Sequence, residues 1–252
     1  MSDGFFVADV PLDVAAGSRV QITDREAHHA AVVRRLKVGE AVTVTAGDGR
    51  GVIGAVASID PGLVEVEVEQ VVEEPLRRPA ITVVQALPKN DRAELAVDLM
   101  TEVGVDRIVP WQAARSIVKW QAERAETSRA KWETAAREAS KQARRFSFPV
   151  IDPIATTSAV AELVRTCATS LIMHEKESRP LSTLPLAGVE QCLIIIGPEG
   201  GLTDQEVELF EACGGQTYSL GSTVLRAATA GCVAIAQVRA LWQVRQPGGD
   251  HA

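Results

Sequence analysis

The sequence has few of the residues that build disulfide frameworks, zinc sites and membrane spans. Its 252 residues include four cysteines, which stand far apart and form no C-x-x-C pair, so neither a zinc site nor a disulfide framework is predicted. No apolar run is long enough to cross a membrane, and the first twenty residues lack the basic-then-apolar pattern of a signal peptide. We therefore expect a cytoplasmic protein with reduced thiols and no bound metal.

A glycine-rich loop interrupts an apolar run at "IIIGPEGGLTDQE", residues 194–206, and it contains no lysine. Without G-K-[ST] after the glycines, a Walker loop and hydrolysis of nucleoside triphosphates are not predicted. Glu199 would also repel a phosphate group. Because glycines let the backbone approach a ligand and adopt positive φ, a neutral or cationic ligand held by backbone groups fits better. The alternative is a tight strand-to-helix connection that binds nothing.

The formal net charge of −7 argues against a general nucleic-acid binder, because phosphate contacts need local positive charge. The basic residues are nevertheless clustered. One group comprises Arg25, His28, His29, Arg34, Arg35 and Lys37, and another comprises Arg137, Lys141, Arg144 and Arg145. Each group is either a local RNA-binding patch or an ordinary solvated helix face.

The chain changes character near "VVEEPLRRPA", residues 71–80. Before it, short β-rich runs alternate with turns, and the valines at 64, 66 and 68 alternate with glutamates as in a half-exposed strand. One helix-like segment, residues 23–37, interrupts these runs, with Thr23 and Glu26 predicted to form a capping box. We predict a small β-barrel over residues 1–72, a linker over 73–79 and a second domain over 80–252.

The glycines of "GRGVIG", Gly49, Gly51 and Gly54, match the G-x-G-x-x-G pattern of dinucleotide-binding proteins. That fingerprint must follow a strand and open a helix. Here the glycines lie between two strand-like runs, so the pattern favours a β-hairpin.

The second domain is predicted to be α/β. Five apolar runs are typical of buried parallel strands, at residues 81–87, 107–111, 170–174, 192–197 and 216–221. Helix-length segments separate them, at residues 92–103, 127–145, 158–167, 204–212 and 225–243. This alternation predicts a doubly wound sheet covered by helices.

Three successive strand ends in the last third carry unusual residues. The first has His174, Glu175 and Lys176, the second is the glycine loop, and the third is "SLGSTVLRAATAG". Ligands of open α/β sheets bind beyond the carboxyl ends of strands, so these three loops are the candidate site. Thr203 and Glu206 predict a capping box for the helix that follows the glycine loop.

Several motifs together resemble one known family. "GPEGGLTDQE" followed by "LGSTVLRAATA" is similar to the SPOUT methyltransferases, and in particular to the 16S rRNA (uracil-N3) methyltransferases (RsmE-like). "HHAAVVRRLKVGE", "QALPKNDRAELAVDLMTEVGV" and "REASKQARRFSFPVI" are similar to further family motifs in the same order. The resemblance covers nearly the whole chain.

The resemblance implies an N-terminal PUA-like β-barrel and a C-terminal SPOUT α/β domain with a parallel sheet and a deep trefoil knot. It also implies S-adenosyl-L-methionine (SAM) as methyl donor, a homodimer, and 16S rRNA as substrate, within the 30S subunit. The cofactor-binding residues implied are His174, Glu175, Ile196, Gly197, Pro198, Glu199, Gly200, Gly201, Leu220, Gly221, Ser222, Val224, Leu225 and Arg226.

Methylation of uridine N3 requires loss of the N3 proton and stabilisation of charge on the uracil oxygens. Arg145 and Arg226 are candidates for the stabilising cation, and Glu199 and Glu175 for the base. Arg226 could instead be a helix residue paired with an acid, and His174 could be core packing. The predicted RNA-binding residues are Arg25, His28, Arg34, Arg35, Lys89 and Arg144.

The third loop departs from the family pattern at two positions. Thr223 replaces an arginine and Ala228 replaces a glutamate, whereas Arg226 is retained. The lost carboxylate puts in doubt any mechanism in which that position is the base. Two alternatives therefore stay open, a SPOUT enzyme acting on another RNA site and a non-catalytic RNA-binding or assembly factor.

Overall fold

The computed structural model describes residues 4–8, 13–89, 92–175 and 179–245, without the side chains of Ala122 and Arg245. Lys176, named above at the first strand end, lies outside the described residues. The chain divides into two compact units, which we describe separately. The first comprises the chain up to Leu76 together with Ser140–Phe148, and the second comprises Arg77–Ala139 and the chain from Pro149 onward.

The first unit is built around a five-stranded sheet. Its elements are β1 (Gly4–Val7), β2 (Arg19–Thr23), α1 (Asp24–His28), a π-helical turn (His29–Val33), β3 (Ala41–Thr45), β4 (Arg50–Asp60) and β5 (Leu63–Glu73). The strand order is β1-β3-β4-β5-β2, with β1 parallel to β3 and the other pairs antiparallel.

The alternation in β5 and the glycine hairpin are both as predicted. Val64, Val66 and Val68 are buried in the core of the first unit, whereas Glu67 and Glu69 are exposed. Strands β3 and β4 form an antiparallel pair, and two of the three glycines lie within β4. At Gly54 a Cβ atom would lie 2.0 Å from the backbone oxygen of Glu67, so only glycine fits at this point of the β4–β5 pair.

The prediction of one helix over residues 23–37 was wrong in its length, and the prediction of a capping box at its start was wrong. Regular α-helix ends at His28, and the π-helical turn ends at Val33. The Thr23 side chain makes no capping hydrogen bond. The Glu26 side chain instead accepts a hydrogen bond from Lys141 Nζ at 2.6 Å, and both side chains are buried. A buried ammonium group binds the carboxylate that a capping box would have needed.

The second unit contains a six-stranded, wholly parallel sheet with the order β11-β9-β10-β6-β7-β8. The strands are β6 (Ala80–Ala86), β7 (Arg107–Trp111), β8 (Val150–Ile151), β9 (Ser170–Met173), β10 (Gln191–Ile196) and β11 (Gln216–Tyr218). The helices are α2 (Arg92–Glu102), α3 (Ala122–Gln142), α4 (Thr157–Thr166), α5 (Asp204–Ala212) and α6 (Ala227–Arg245), with a 3-10 turn at Leu181–Thr183. All five predicted strands are confirmed, and the two-residue β8 was missed.

Helices cover both faces of this sheet, as predicted for a doubly wound domain. Alternate residues of β6 contribute to two separate apolar clusters, Ile81 and Val83 to one and Val84 and Ala86 to the other. The first cluster contains residues of α2, α3 and α6, and the second contains residues of α4 and α5. Burial on both faces explains why the strands are continuous apolar runs. Among the described residues, no helix is long and apolar enough to span a membrane.

Candidate functional site

The carboxyl ends of β9, β10 and β11 surround one cavity of about 450 Å³. The segment after β9 contributes His174 and Glu175, the segment after β10 contributes the glycine loop, and the segment after β11 runs to the start of α6. β11, β9 and β10 are neighbours in the sheet, in that order. β11 is the edge strand, and β10 lies beside β6. The topology therefore brings together three loops that are far apart in the sequence, at the edge where ligands of α/β sheets bind.

All of the residues predicted to bind the cofactor line this cavity. They are His174, Glu175, Ile196, Gly197, Pro198, Glu199, Gly200, Gly201, Leu220, Gly221, Ser222, Val224, Leu225 and Arg226. The structure thus groups them around one space, whereas their contact with a cofactor stays a prediction. The lining also includes residues that were not predicted, namely Arg115, Met173, Leu202, Asp204, Ser219, Thr223, Ala227 and Ala230.

The glycine loop is a tight turn whose shape depends on two glycines. The Gly201 N–H donates to the Pro198 carbonyl at 2.8 Å, and Gly201 has a φ of +71°, where glycine is favoured. At Gly200 a Cβ atom would lie 3.2 Å from Cβ of Arg115, so a larger residue would press on the neighbouring segment. Backbone rather than side chains therefore forms this wall of the cavity.

The segment that follows β7 is hydrogen-bonded to this loop and to α5, and no sequence pattern predicts these contacts. Arg115 Nη1 donates to the carbonyl oxygens of Gly200 at 3.1 Å and Leu202 at 3.0 Å. The Ala114 N–H donates to Glu206 Oε1 at 2.8 Å. A lone arginine after a predicted strand carried no recognisable motif, so only the fold reveals these contacts.

The predicted capping box at the start of α5 is confirmed. Thr203 Oγ1 accepts from the Glu206 N–H at 3.2 Å, and the Thr203 N–H donates to Glu206 Oε2 at 2.9 Å. Glu206 is buried and uses its other oxygen for Ala114. One carboxylate therefore fixes both the helix start and the adjoining β7 segment.

Glu199, a predicted catalytic residue, already has a structural partner. Its Oε1 accepts a hydrogen bond from the backbone N–H of Lys89 at 3.1 Å. Glu199 thus joins the glycine loop to the segment after β6, and the predicted RNA-binding Lys89 is exposed beside it.

The cavity lining combines opposite charges with apolar side chains. Its carboxylates are Glu175, Glu199 and Asp204, and its cations include Arg115 and Arg226. Apolar side chains come from Met173, Ile196, Leu220, Val224 and Leu225. The arrangement suits a ligand that has both an apolar part and charged groups of either sign.

Arg226 lines this cavity and directly precedes α6. Its side chain is exposed, and its carbonyl oxygen accepts from the Thr229 and Ala230 N–H groups, both at 2.9 Å. Ala228, where the family pattern has a glutamate, is buried in the core of the second unit and is not part of the cavity lining. A carboxylate at that position would be surrounded by apolar side chains in this chain.

Arg145 is not among the residues that line the cavity. It belongs to the first unit, where it is 2% exposed and its backbone N–H donates to Ser140 O at 2.9 Å. Lys141 is likewise buried, in the ion pair with Glu26. The second basic group is therefore not a solvated face as a whole. Of Lys141, Arg144 and Arg145, only Arg144 is exposed.

The other basic group does form a surface of the first unit. Arg25, His28, Arg34 and Arg35 are all exposed on α1 and the segment that follows it. Val32, Val33 and Val38 lie in the same stretch and are also exposed, at 59%, 63% and 65%. We call this stretch, residues 25–38, the basic surface.

Among the described residues, no group of three or more histidine, cysteine or acidic side chains is arranged to hold a metal ion.

The sequence also matches known protein families. A family model described as an RNA methyltransferase domain matches residues 74–239, about two thirds of the chain. This chain belongs to that RNA methyltransferase family. A second model, described as an RNA methyltransferase PUA domain, matches residues 22–69 of the same methyltransferase.

Curated relatives narrow the family further. This RNA methyltransferase is 34% identical over 241 residues to the ribosomal RNA small subunit methyltransferase E of Mycobacterium bovis, covering 94% of this chain and 91% of the relative. It is 28% identical to the protein of the same name from Bacillus subtilis, covering 93% and 94% of the two chains. The chain is thus a member of the ribosomal RNA small subunit methyltransferase E family.

Solved structures agree with this assignment. A ribosomal RNA small subunit methyltransferase E from Neisseria gonorrhoeae, bound to S-adenosyl methionine, superposes with a TM-score of 0.84 at 26% identity and covers 95% of this chain and 98% of that one. A methyltransferase from Legionella pneumophila in complex with SAM superposes with a TM-score of 0.82 at 27% identity, covering 94% and 96%. The predicted family is therefore confirmed.

Proposed function

We propose that this chain transfers a methyl group from SAM to N3 of a uridine in the 16S rRNA of the small ribosomal subunit. Family membership and the SAM-bound relatives support the reaction class and the cofactor. The observation that carries the proposal for this chain is the convergence of the three loops on one cavity. The N3 position comes from the family that the sequence motifs resemble.

The cavity residues fit SAM in size and chemistry. A volume of about 450 Å³ lies within the range of small-molecule sites. The glycine loop presents backbone groups to the cavity with little side-chain bulk, which would let them approach a nucleoside closely. We propose that the apolar side chains of Ile196, Leu220 and Leu225 pack against the adenine, and that the carboxylates of Glu175 and Glu199 face the cationic groups.

SAM supplies an electrophilic methyl group, which transfers by in-line displacement and needs mainly alignment with its acceptor. The protein's part is to position the uracil, to accept or relay the N3 proton and to stabilise negative charge on the uracil oxygens. We assign the stabilising cation to Arg226, because it is exposed at the cavity whereas Arg145 is buried in the first unit. Ala228 cannot accept the proton. We propose that Glu199 or Glu175 accepts the N3 proton, either directly or through a water that lies between the carboxylate and the uracil.

We propose that the basic surface and the exposed Arg144 and Lys89 contact rRNA phosphates, which would position the substrate without reading its sequence.

The family also implies finer structural and biological features, which we include in the proposal. They are a PUA-like barrel in the first unit, a trefoil knot formed by the three loops, a homodimer, an assembled 30S subunit as substrate, and a cytoplasmic location. Exposed Val224, at 75%, is compatible with a partner subunit beside the cavity.

The deciding experiment is methyl transfer from labelled SAM to 30S subunits from a strain that lacks the enzyme, followed by nucleoside analysis. We expect the label in 3-methyluridine with the natural protein and none with Gly200→Arg, whose side chain would enter the space beside Arg115. Label in another nucleoside would replace the proposed target. No label together with no SAM binding would refute the enzymatic function and favour an RNA-binding factor.

A further inference from the structure

Arg115 occupies a position that the proposed reaction does not yet explain. It lies in the segment after β7, yet it lines the cavity formed by the loops after β9, β10 and β11. Its Nη1 nitrogen carries two hydrogens and makes two hydrogen bonds, to the carbonyl oxygens of Gly200 and Leu202. These two carbonyls flank Gly201, the residue of the loop with positive φ.

Two peptide groups of the glycine loop are therefore held in orientation by a single charged donor. Hydrogen bonds from a charged group are stronger than neutral ones, so the guanidinium opposes rotation of either peptide unit. A Cβ added at Gly200 would lie 3.2 Å from the Cβ of Arg115, so the backbone of Gly200 lies close beside the Arg115 side chain.

The segment that carries Arg115 is itself anchored. The Ala114 N–H donates to Glu206 Oε1, and Glu206 is buried and bound to the start of α5 by the capping box. On the other side of the loop, Glu199 holds the Lys89 N–H. Arg115 thus connects an anchored segment to the part of the loop between Glu199 and α5.

We propose that Arg115 is a positioning residue for the cofactor: it holds the glycine loop in the conformation that binds SAM. The proposal rests on the proposed function, since it assigns the loop to SAM. Arg115 acts through the Gly200 and Leu202 peptide groups, and preorganising them lowers the ordering cost that SAM binding would otherwise carry. This role predicts an effect on SAM affinity and loop mobility that is larger than any effect on global stability.

The test compares the full-length natural protein with Arg115→Met and Arg115→Lys. Arg165→Met serves as the matched control, because Arg165 is an exposed arginine of the same unit that pairs with Glu162 and does not line the cavity. We expect Arg115→Met to raise the SAM dissociation constant about tenfold, which corresponds to about 1.4 kcal/mol. Arg115→Lys keeps the charge and donors and should recover part of the affinity, whereas Arg165→Met should bind SAM like the natural protein.

Hydrogen–deuterium exchange in the absence of SAM provides an independent measurement. We expect the backbone amides of residues 197–203 to exchange several-fold faster in Arg115→Met than in Arg165→Met, at equal melting temperature. Unchanged loop exchange, or faster exchange with unchanged SAM affinity, would overturn the proposal. If the natural protein binds no SAM, the proposed function is refuted, and so is the proposal that Arg115 positions the loop for SAM. Loop exchange still decides whether Arg115 orders the loop.

Discussion

The buried ion pair between Lys141 and Glu26 gives the sharpest prediction about stability. Lys141 Nζ lies 2.6 Å from Glu26 Oε1, with the two side chains 9% and 8% exposed. Replacing Lys141 by Met removes the ammonium and leaves the carboxylate buried without its charged partner. We expect the free energy of unfolding of the first unit to fall by about 3–5 kcal/mol, because a buried charge then loses its compensation.

The magnitude follows from burial rather than from distance, and the chain provides a control. Arg19 and Glu65 of the same unit lie 3.0 Å apart, but Arg19 is 59% exposed and Glu65 22%. Solvent screens such a pair and side-chain entropy opposes it, so Arg19→Met should change stability little. The double variant Glu26→Leu/Lys141→Met leaves no uncompensated charge and should be more stable than Lys141→Met alone.

Tryptophan fluorescence cannot measure this loss, because all four tryptophans lie in the second unit. Native-state hydrogen exchange of the slowest amides in β3, β4 and β5 reports the opening of the first unit directly. A change of less than about 1 kcal/mol for Lys141→Met, or a double variant as unstable as the single one, would refute the reasoning.

Gly54→Ala should destabilise the first unit strongly, because its Cβ would lie 2.0 Å from the Glu67 carbonyl oxygen. Gly62→Ala meets no atom within 4 Å and carries only the strain of a φ of +79°, so it should cost less. Urea denaturation followed by circular dichroism measures both losses. Arg226→Met should lower methyl transfer to 30S subunits at least tenfold while SAM affinity, measured by calorimetry, changes less, if the guanidinium stabilises charge that develops on the uracil. Burial, with Glu102 and Glu94 nearby, raises the pKa of Asp98. Its ionised form is therefore disfavoured in the folded state, so Asp98→Asn should raise the melting temperature at pH 7 and lose that advantage below the ordinary Asp pKa near 3.8. Burial also raises the pKa of the Cys192 thiol, so alkylation of the native protein at pH 8 should spare Cys192, and mass spectrometry of its tryptic peptide would detect any modification.

The α/β sheet could be predicted because its signals are local. The runs that became β6, β7, β9, β10 and β11 are apolar throughout, as strands buried on both faces must be. The capping box of Thr203 and Glu206 was likewise predictable, since both partners lie within one turn. The same pattern failed at Thr23, where Asp24 has a positive φ of 49° and Glu26 pairs instead with Lys141, more than a hundred residues away in the sequence.

In the candidate site too, local sequence signals could be predicted and contacts between distant segments could not. The cavity residues at the three strand ends were predictable from glycines, strand ends and family motifs. Arg115 was not, because its partners are backbone carbonyls of Gly200 and Leu202, which leave no trace in side-chain pattern. The family motif predicts a catalytic role for Arg145, but neither its burial nor its membership of the first unit can be read from the surrounding sequence.

The first unit is built from two separate segments of the chain, so it cannot complete its folding during synthesis until the second segment has been made. Ser140–Phe148 completes this unit: the Phe148 N–H donates to Gly47 O at 2.9 Å, the Gly49 N–H donates to Phe146 O at 2.9 Å, and the Ser147 N–H donates to Glu74 at 2.8 Å. A nascent chain that has reached Leu76 lacks all of these partners, and the ribosome needs roughly 4–14 s more to reach residue 148. The N-terminal strands must therefore wait, incomplete, while Arg77–Ala139 of the second unit is translated, and a fragment that ends near residue 79 never acquires the last segment of the first unit.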